Sequence, residues 1–245
     1  MRIPDPATLD RLADRGWPSL EREPLGGWIL RAASGVTNRA NSVLTAGAVD
    51  DLADAVRRAE RWYGDRGLPA VFQVSPASPE LAVVLATRGY REHSLTDILV
   101  ADRAEVAAAG SEASSPVVAD APGEGWPRTW WSVDGRGGDA ERAIAARILT
   151  GGPALYASHG DPAHPDAVAR LALVGEWGGL YSVATRPEAR RRGLARALAV
   201  ALAGAAAEHG IHSLWLQVLA GNTAAHALYA SLGFCRASGY SYWSR

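Results

Sequence analysis

Arg190, Arg191, Arg192 and Arg196 surround Gly193 and Ala195 in the run Arg190-Arg191-Arg192-Gly193-Leu194-Ala195-Arg196. Guanidinium groups fork onto phosphate oxygens, and side chains as small as Gly193 and Ala195 let a phosphate reach backbone amides. A diphosphate suits such a run. A basic turn ahead of a core helix is the competing reading, because short glycine patterns recur by chance. Further along, Asn222, His226 and Tyr229 share one helix face at about 100° per residue, while Ala225, Leu228 and Leu232 share another. The second face packs and the first presents polar groups.

The elements that must position these residues follow from pattern. Gly179 to Thr185 is apolar and rich in β-branched and aromatic residues, which predicts a buried strand ending at Arg186-Pro187. Leu194 to Ala207 is nearly all Ala, Leu and Val, which predicts a helix stopped at Gly210. The arginine run therefore lies at a helix N-terminus, where four backbone N–H groups lack intrahelical partners and the dipole end is positive. Ser213 to Val218 predicts a second buried strand, and Asn222 to Leu232 a helix with Gly233 as its C-cap.

These residues resemble the GNAT superfamily of N-acetyltransferases. Its Arg/Gln-x-x-Gly-x-Gly/Ala signature is matched by Arg190-x-x-Gly193-x-Ala195, and its Asn…Leu-Tyr-x-x-Leu-Gly-Phe helix by Asn222 with Leu228-Tyr229-Ala230-Ser231-Leu232-Gly233-Phe234. The resemblance implies an α/β fold with a central mixed, mostly antiparallel sheet flanked by helices, and acetyl-CoA as acyl donor. The backbone of Val183, Ala184 and Thr185 would pair with the pantetheine arm. Amides of Arg191, Arg192, Gly193, Leu194, Ala195 and Arg196, with the Arg190 side chain beside them, would hold the pyrophosphate. Asn222 would contact the pantetheine, and Tyr229 would protonate the departing thiolate.

The base that accepts the amine's proton is left open. Some superfamily members carry a glutamate eleven residues before the first signature arginine, where this chain has Gly179. Glu176 sits three positions earlier, in the expected Gly175-Glu176-Trp177-Gly178 turn. It either reaches the site through water or is a solvated turn carboxylate. His226 is the second candidate, against a packing or capping histidine.

The 245 residues exceed one domain of about 100–150. Small, polar, aperiodic residues from Ala101 to Ser115 read as a linker, dividing the chain into domains 1–103 and 116–245 with 104–115 between. Before it lies a degenerate copy of the later half. Phe72-Gln73-Val74 matches Leu216-Gln217-Val218, and sixteen residues separate Gln73 from Gly89 as they separate Gln217 from Gly233. Leu52, Ala55, Val56, Ala59, Trp62 and Tyr63 recur at helical spacing ahead of it, and Ser94 to Val100 predicts its last strand. In this copy Leu85 stands for Tyr229, Ser78 for Asn222, and no arginine-glycine loop precedes the helix at Asp51. It should not bind acetyl-CoA. The whole resembles tandem GNAT proteins, in which a degenerate domain packs beside a catalytic one.

Acceptor recognition is less legible. A hairpin of Trp28–Ala32 with Ala40–Leu44 is expected, and its Thr37, Asn38, Arg39 and Asn41 are either acceptor contacts or a solvated turn. Trp126, Trp130 and Trp131, with Asp134, Asp139 and Glu141, either receive a cationic amine or form core and helix caps.

A net charge of −1 and pI near 6.6 offer nucleic acid no global attraction. All 25 basic side chains are arginine, which removes lysine self-acetylation. The single cysteine, Cys235, precludes an internal disulfide and argues against structural zinc or any other metal; at a strand start it reads as a buried thiol. Neither the N-terminus nor the Ala-rich helix suits a leader or bilayer span, so a cytoplasmic protein, monomer or homodimer, is expected. Three functions remain open: direct acetyl transfer from acetyl-CoA to a primary amine of a small molecule or peptide, a non-catalytic acyl-CoA-sensing module, or a transferase with another acyl donor.

Overall fold

The computed structural model describes residues 3–110 and 116–245. In chain order these form α1 (Pro6–Gly16), β1 (Glu21–Leu25), β2 (Trp28–Ala32), β3 (Val43–Leu44), α2 (Leu52–Gly64), β4 (Phe72–Val74), α3 (Leu81–Thr87), β5 (Arg91–Asp102), α4 (Arg103–Ala108), β6 (Val117–Ala119), α5 (Trp126–Asp134), α6 (Asp139–Leu149), β7 (Ala154–Asp161), β8 (His164–Val174), β9 (Trp177–Thr185), α7 (Leu194–Ala205), β10 (Ser213–Leu219), α8 (Thr223–Ala230) and β11 (Cys235–Ser244). The class is α/β with mixed sheet. Two compact units result. One takes the described residues through Ile98 with Val218–Gly221 and Arg236–Arg245; the other takes Leu99–Gln217 and Asn222–Cys235.

This division departs from the sequence expectation in two ways. Arg103–Ala108 is helical, because Asp102 caps it by accepting from the Ala104 and Glu105 amides at 2.8 and 3.3 Å; the rest of the expected linker, 111–115, lies outside the described residues. The C-terminal strand joins the first unit, where Ser241, Tyr242 and Trp243 pair antiparallel with Val74, Gln73 and Phe72. A sequence scan for domains sees contiguous segments and has no signal for a strand that returns.

In the first unit β1-β2-β3-β4-β11-β5 lie side by side, with β3 parallel to β4. The expected hairpin partner of β2 is only partly right. β2 pairs over its full length with β1, Glu21↔Ala32 to Leu25↔Trp28, and meets β3 at Ile29↔Leu44. Asn38–Ala40 is a 3-10 turn instead of strand. Asn41 is buried there; its Oδ1 accepts from the Ala33 and Gly35 amides, and its Nδ2 donates to the Val36 and Thr37 carbonyls. The polar cluster therefore contains a turn organiser. α2 and α3 bury Val56, Ala59, Tyr63, Leu81 and Leu85 against Trp28, Phe72 and Tyr90. Burying side chains of this size contributes about 1.5–3 kcal/mol each.

In the second unit the order is β10-β9-β8-β7-β6, all antiparallel except β9 with β10. The structure repeats the local geometry that the sequence spacing suggested. Tyr90 N donates to Leu85 O at 3.1 Å, and Phe234 N to Tyr229 O at 3.0 Å. Gly89 and Gly233 both take left-handed φ, 82° and 87°, which closes each helix at little cost for glycine.

Candidate functional site

The site is built where β9 and β10 part. Their parallel pairing runs from Trp177↔Ser213 to Leu180↔Leu216. Immediately beyond, β9 is bulged against β8: Arg170 opposes Tyr181 while Val168 opposes Ala184, so one residue more stands on β9 than on its partner. Ser182 carries the distortion at φ 52°. The bulge turns the Val183–Thr185 backbone off the β10 ladder while β8 still holds its other edge through Val168↔Ala184 and Ala167↔Thr185. A strand edge turned out of its ladder is one to which an extended amide-bearing arm can add.

Thr185 leads into a 3-10 turn, Pro187–Ala189, and then into the arginine run. Arg191 and Gly193 both take left-handed φ, 64° and 73°, and Gly193 is the N-cap of α7. The first amide to bond back into the helix is Ala197, to Gly193 O at 3.0 Å. The amides of Leu194, Ala195 and Arg196 thus form the open first turn. A Cβ at Gly193 would meet nothing within 4 Å, so glycine is present for its φ and not for want of space beside a protein neighbour. Backbone N–H groups in this arrangement, at the positive end of a helix of twelve residues, fit a diphosphate.

The arginines divide by what they touch. Arg190 Nε donates to Thr185 O at 3.3 Å, and Arg192 meets Asp166 Oδ2 at 3.3 Å, both on the surface. Arg196 is different. Its guanidinium donates to Gly110 O, Ala109 O and Ser231 Oγ at 3.0, 2.7 and 3.0 Å, bracing the C-terminal ends of α4 and α8. Its guanidinium is thus committed to protein oxygens, and only its amide stands in the open first turn of α7.

On α8, Asn222 is the N-cap: Oδ1 accepts from Ala225 N at 3.1 Å, leaving the carboxamide N–H groups for a ligand. Tyr229 is buried, edge-to-face on Phe234 at 5.6 Å, and burial pushes its phenol up to about 12. It remains protonated at any physiological pH and so is available as a donor to a thiolate, whose conjugate thiol has pKa near 8.5.

Glu176 is not brought to this place. It is exposed in the two-residue β8–β9 turn, at the opposite end of β9 from Val183, seven residues or roughly 23 Å away; its carbonyl accepts from His212 and Ser213. Gly179 offers no alternative, because a Cβ there would run into the Trp215 indole, whose Nε1 donates to Tyr181 Oη at 3.3 Å. Cys235 begins β11 but is exposed, against the expectation of a buried thiol; a strand's first residue alternates outward as readily as inward. Of the tryptophans, Trp126 and Trp130 are core, Trp126 Nε1 donating to Ala157 O at 2.9 Å, and Glu141 bonds the Gly138 amide at the start of α6. Among the described residues no group of three or more His, Cys, Asp or Glu is placed to hold a metal, and no helix is long and apolar enough to cross a membrane.

Sequence reading missed Ser182 and Gln217. Both have a buried side-chain oxygen without a hydrogen-bond partner, and both lie at the point where β9 and β10 part. In the sequence Gln217 stands out only as a landmark of the repeat.

Residues 7–243 match a family model described as the C-terminal region of the probable histone acetyltransferase Rv0428c. The chain is 27% identical over 238 residues, 96% of each protein, to YobR, an uncharacterized N-acetyltransferase of Bacillus subtilis. It is 46% identical over 59 residues, 24% of this chain and 40% of the other, to the ribosomal protein bS18-alanine N-acetyltransferase of Escherichia coli. In fold it is similar to a GCN5-related N-acetyltransferase from Kribbella flavida, with TM-score 0.70, 16% identity, and 96% and 95% of the two chains covered. It is similar also to a tandem GNAT protein from the clavulanic acid biosynthesis pathway, with TM-score 0.69, 13% identity, and 100% and 89% covered. With the splayed strands and the open helix terminus, the family match over nearly its whole length shows that this chain belongs to the Rv0428c C-terminal family and is an acyltransferase of the GNAT type.

Proposed function

We propose that the second unit transfers acetyl from acetyl-CoA directly to a primary amine of a small molecule or peptide, with Tyr229 as general acid. The observation that carries this is the combination on one unit of an open α7 N-terminus, a strand edge turned free at Val183–Thr185, and a buried phenol of raised pKa on α8. When bound, acetyl-CoA supplies the thioester whose carbonyl carbon the amine attacks. The protein's residues do the rest. Amides from Arg191 to Arg196 bind the diphosphate, while Val183 and Thr185 align the arm and Asn222 donates to it. As the C–N bond forms and the C–S bond breaks, Tyr229 gives its proton to sulfur. The surplus proton on nitrogen leaves through water and restores the phenol.

A peptide acceptor is supported by the relative whose name specifies a ribosomal protein's alanine. Turnover, read as CoA release with a panel of amines and peptides, tests the reading. Acetylated product whose formation depends on Tyr229 is expected. Tight acetyl-CoA binding with no transfer to any amine would make the unit a non-catalytic acyl-CoA sensor, and transfer from longer acyl-CoA alone would replace the donor.

A further inference from the structure

Arg196 is the third residue of α7, and a cation in a helix's first turn opposes the positive end of its dipole. The guanidinium therefore does not serve α7's own stability, and its commitment to protein oxygens keeps it from a phosphate. What it joins is three helices of one unit. Its Nε and one terminal nitrogen donate to Gly110 O and Ala109 O at 3.0 and 2.7 Å, at the end of α4; its other terminal nitrogen donates to Ser231 Oγ at 3.0 Å and Ser231 O at 3.4 Å, at the end of α8. α4 has further ties, because Arg103 donates to Ala203 O on α7 at 3.0 Å and Val106 is fully buried. α8 is held less well. It is eight residues long and Tyr229 is its only buried side chain, so neither helix propensity nor core burial contributes much to its position. Asn222 caps its start. At its finish Ser231 Oγ donates to Leu228 O at 2.7 Å while accepting from Arg196, so the guanidinium grips the turn 228–231 that carries Tyr229. Leu232 and Phe234, both buried, anchor the chain just beyond. No described protein group hydrogen-bonds the Tyr229 hydroxyl, and its ring rests on Phe234; where the hydroxyl points follows from where the last turn of α8 sits.

We propose that Arg196 is a positioning residue for the proton transfer: its guanidinium ties the last turn of α8 to the first turn of α7 and so fixes the Tyr229 hydroxyl relative to the donor's diphosphate. This rests on the acetyl-transfer reading. The Arg196 amide stands in the open turn that would take the diphosphate, and its side chain reaches the tyrosine's helix, so one residue registers the donor's anchored end against the group that meets its sulfur. The side chain itself touches neither sulfur nor acceptor. Its loss therefore acts on rate and not on donor binding, since a misplacement of about 1 Å can lower a rate on the order of 10²-fold while contacts made elsewhere persist. Lysine is no substitute, because an ammonium is a point charge on a flexible stem, whereas the planar fork reaches Ala109, Gly110 and Ser231 at once.

The test is a double-mutant cycle in the full chain, with kcat read as CoA release and acetyl-CoA affinity read by calorimetry. Arg196→Met, which keeps an unbranched stem and good helix propensity, should lower kcat by about 10-fold or more with acetyl-CoA affinity unchanged. Arg196→Lys should recover little of that loss. In a Tyr229→Phe background Arg196→Met should lower kcat no further, because a phenyl ring has no proton to aim. Ser231→Ala should lower kcat by about twofold or more and add nothing to Arg196→Met, and it takes the place of Arg196→Met in the cycle if that variant fails to fold. Three results would overturn the inference: unchanged kcat in the variant used, the same loss in the Tyr229 and Tyr229→Phe backgrounds, which marks a brace with no bearing on proton transfer, or a loss explained by weakened acetyl-CoA binding, which marks a phosphate contact. Tyr229→Phe alone separates the levels: full turnover in it sinks the general-acid reading and this inference with it, whereas lost turnover in it with any of those three sinks the inference alone.

Discussion

Both units run a parallel strand pair toward a helix N-terminus, and both place a glutamine where the pair ends: Gln73 in the last β3–β4 rung, Gln217 one residue past the last β9–β10 rung. In the first unit the glutamine is held by protein partners. Gln73 donates to Asp10 at 3.2 Å and accepts from Arg31 at 2.9 Å, Thr45 Oγ1 donates to Gln73 O at 2.7 Å, and Ser78 Oγ donates to Thr45 O at 2.5 Å. In the second, Gln217 Oε1 and Ser182 Oγ have no partner and a bulge replaces the closing bonds. The helix ends differ in the same sense. Gly193 with its arginines opens α7, whereas Asp51 caps α2 with its own carboxylate, and a cavity of about 630 Å³ beside it is lined by Asp5, Asp50, Asp51 and Glu80. Carboxylates repel a diphosphate from a position that a helix dipole alone would offer it. A binding cleft becomes a structural element here by satisfying its own polar groups and reversing its charge.

The largest expected effect separates the two tyrosine positions. Tyr229→Phe should lower kcat by about 10²-fold or more, the range for general acids, with acetyl-CoA affinity unchanged by titration; undiminished turnover would remove the general acid. The buried network of the first unit should show itself through pH. Burial raises Asp10 to about 6, partly offset by its bond from Ser75 and by Arg31. A carboxyl that holds its proton more tightly folded than unfolded makes stability fall as pH rises, here between about 4 and 6, by on the order of 3 kcal/mol. Urea unfolding across that window should show this fall in the wild type and lose most of it in Asp10→Asn.

Gly193→Val tests the open terminus. A β-branched residue at φ 73° is strained by about 1–3 kcal/mol, which should weaken acetyl-CoA binding roughly tenfold or more while the far-UV spectrum is retained. Unaltered affinity would move the diphosphate elsewhere. The smallest expected effect on turnover is none: Leu85→Tyr, placed in a Tyr229→Phe background, should restore no transfer, since no anion-binding loop serves that position. Acetylated product from that double variant would show that the first copy retains a cleft.

Much of this was legible from residue types. α2, α7, β9 and β10 announce themselves by apolar period, and the repeat by the fixed distance from Gln73 to Gly89 and from Gln217 to Gly233. What sequence could not show was tertiary in origin. β1 is polar, four of its five residues being exposed, so no alternation marks it. β11 completes a sheet that begins with β1 at Glu21, and Arg196 looks like its neighbouring arginines until the helix ends it braces are in place. Glu176 lies at the end of β9 away from Val183–Thr185, because strand direction, not proximity in sequence, decides which end of β9 a turn residue occupies.

Stoichiometry tests the contrast between the copies most directly. Calorimetric titration of the full chain with acetyl-CoA, with ATP as a diphosphate-bearing control, should give one site per chain, weak response to ATP, and loss of that site in Gly193→Val. Two sites per chain, or one that survives Gly193→Val, would contradict the assignment of acyl-donor binding to the second unit alone.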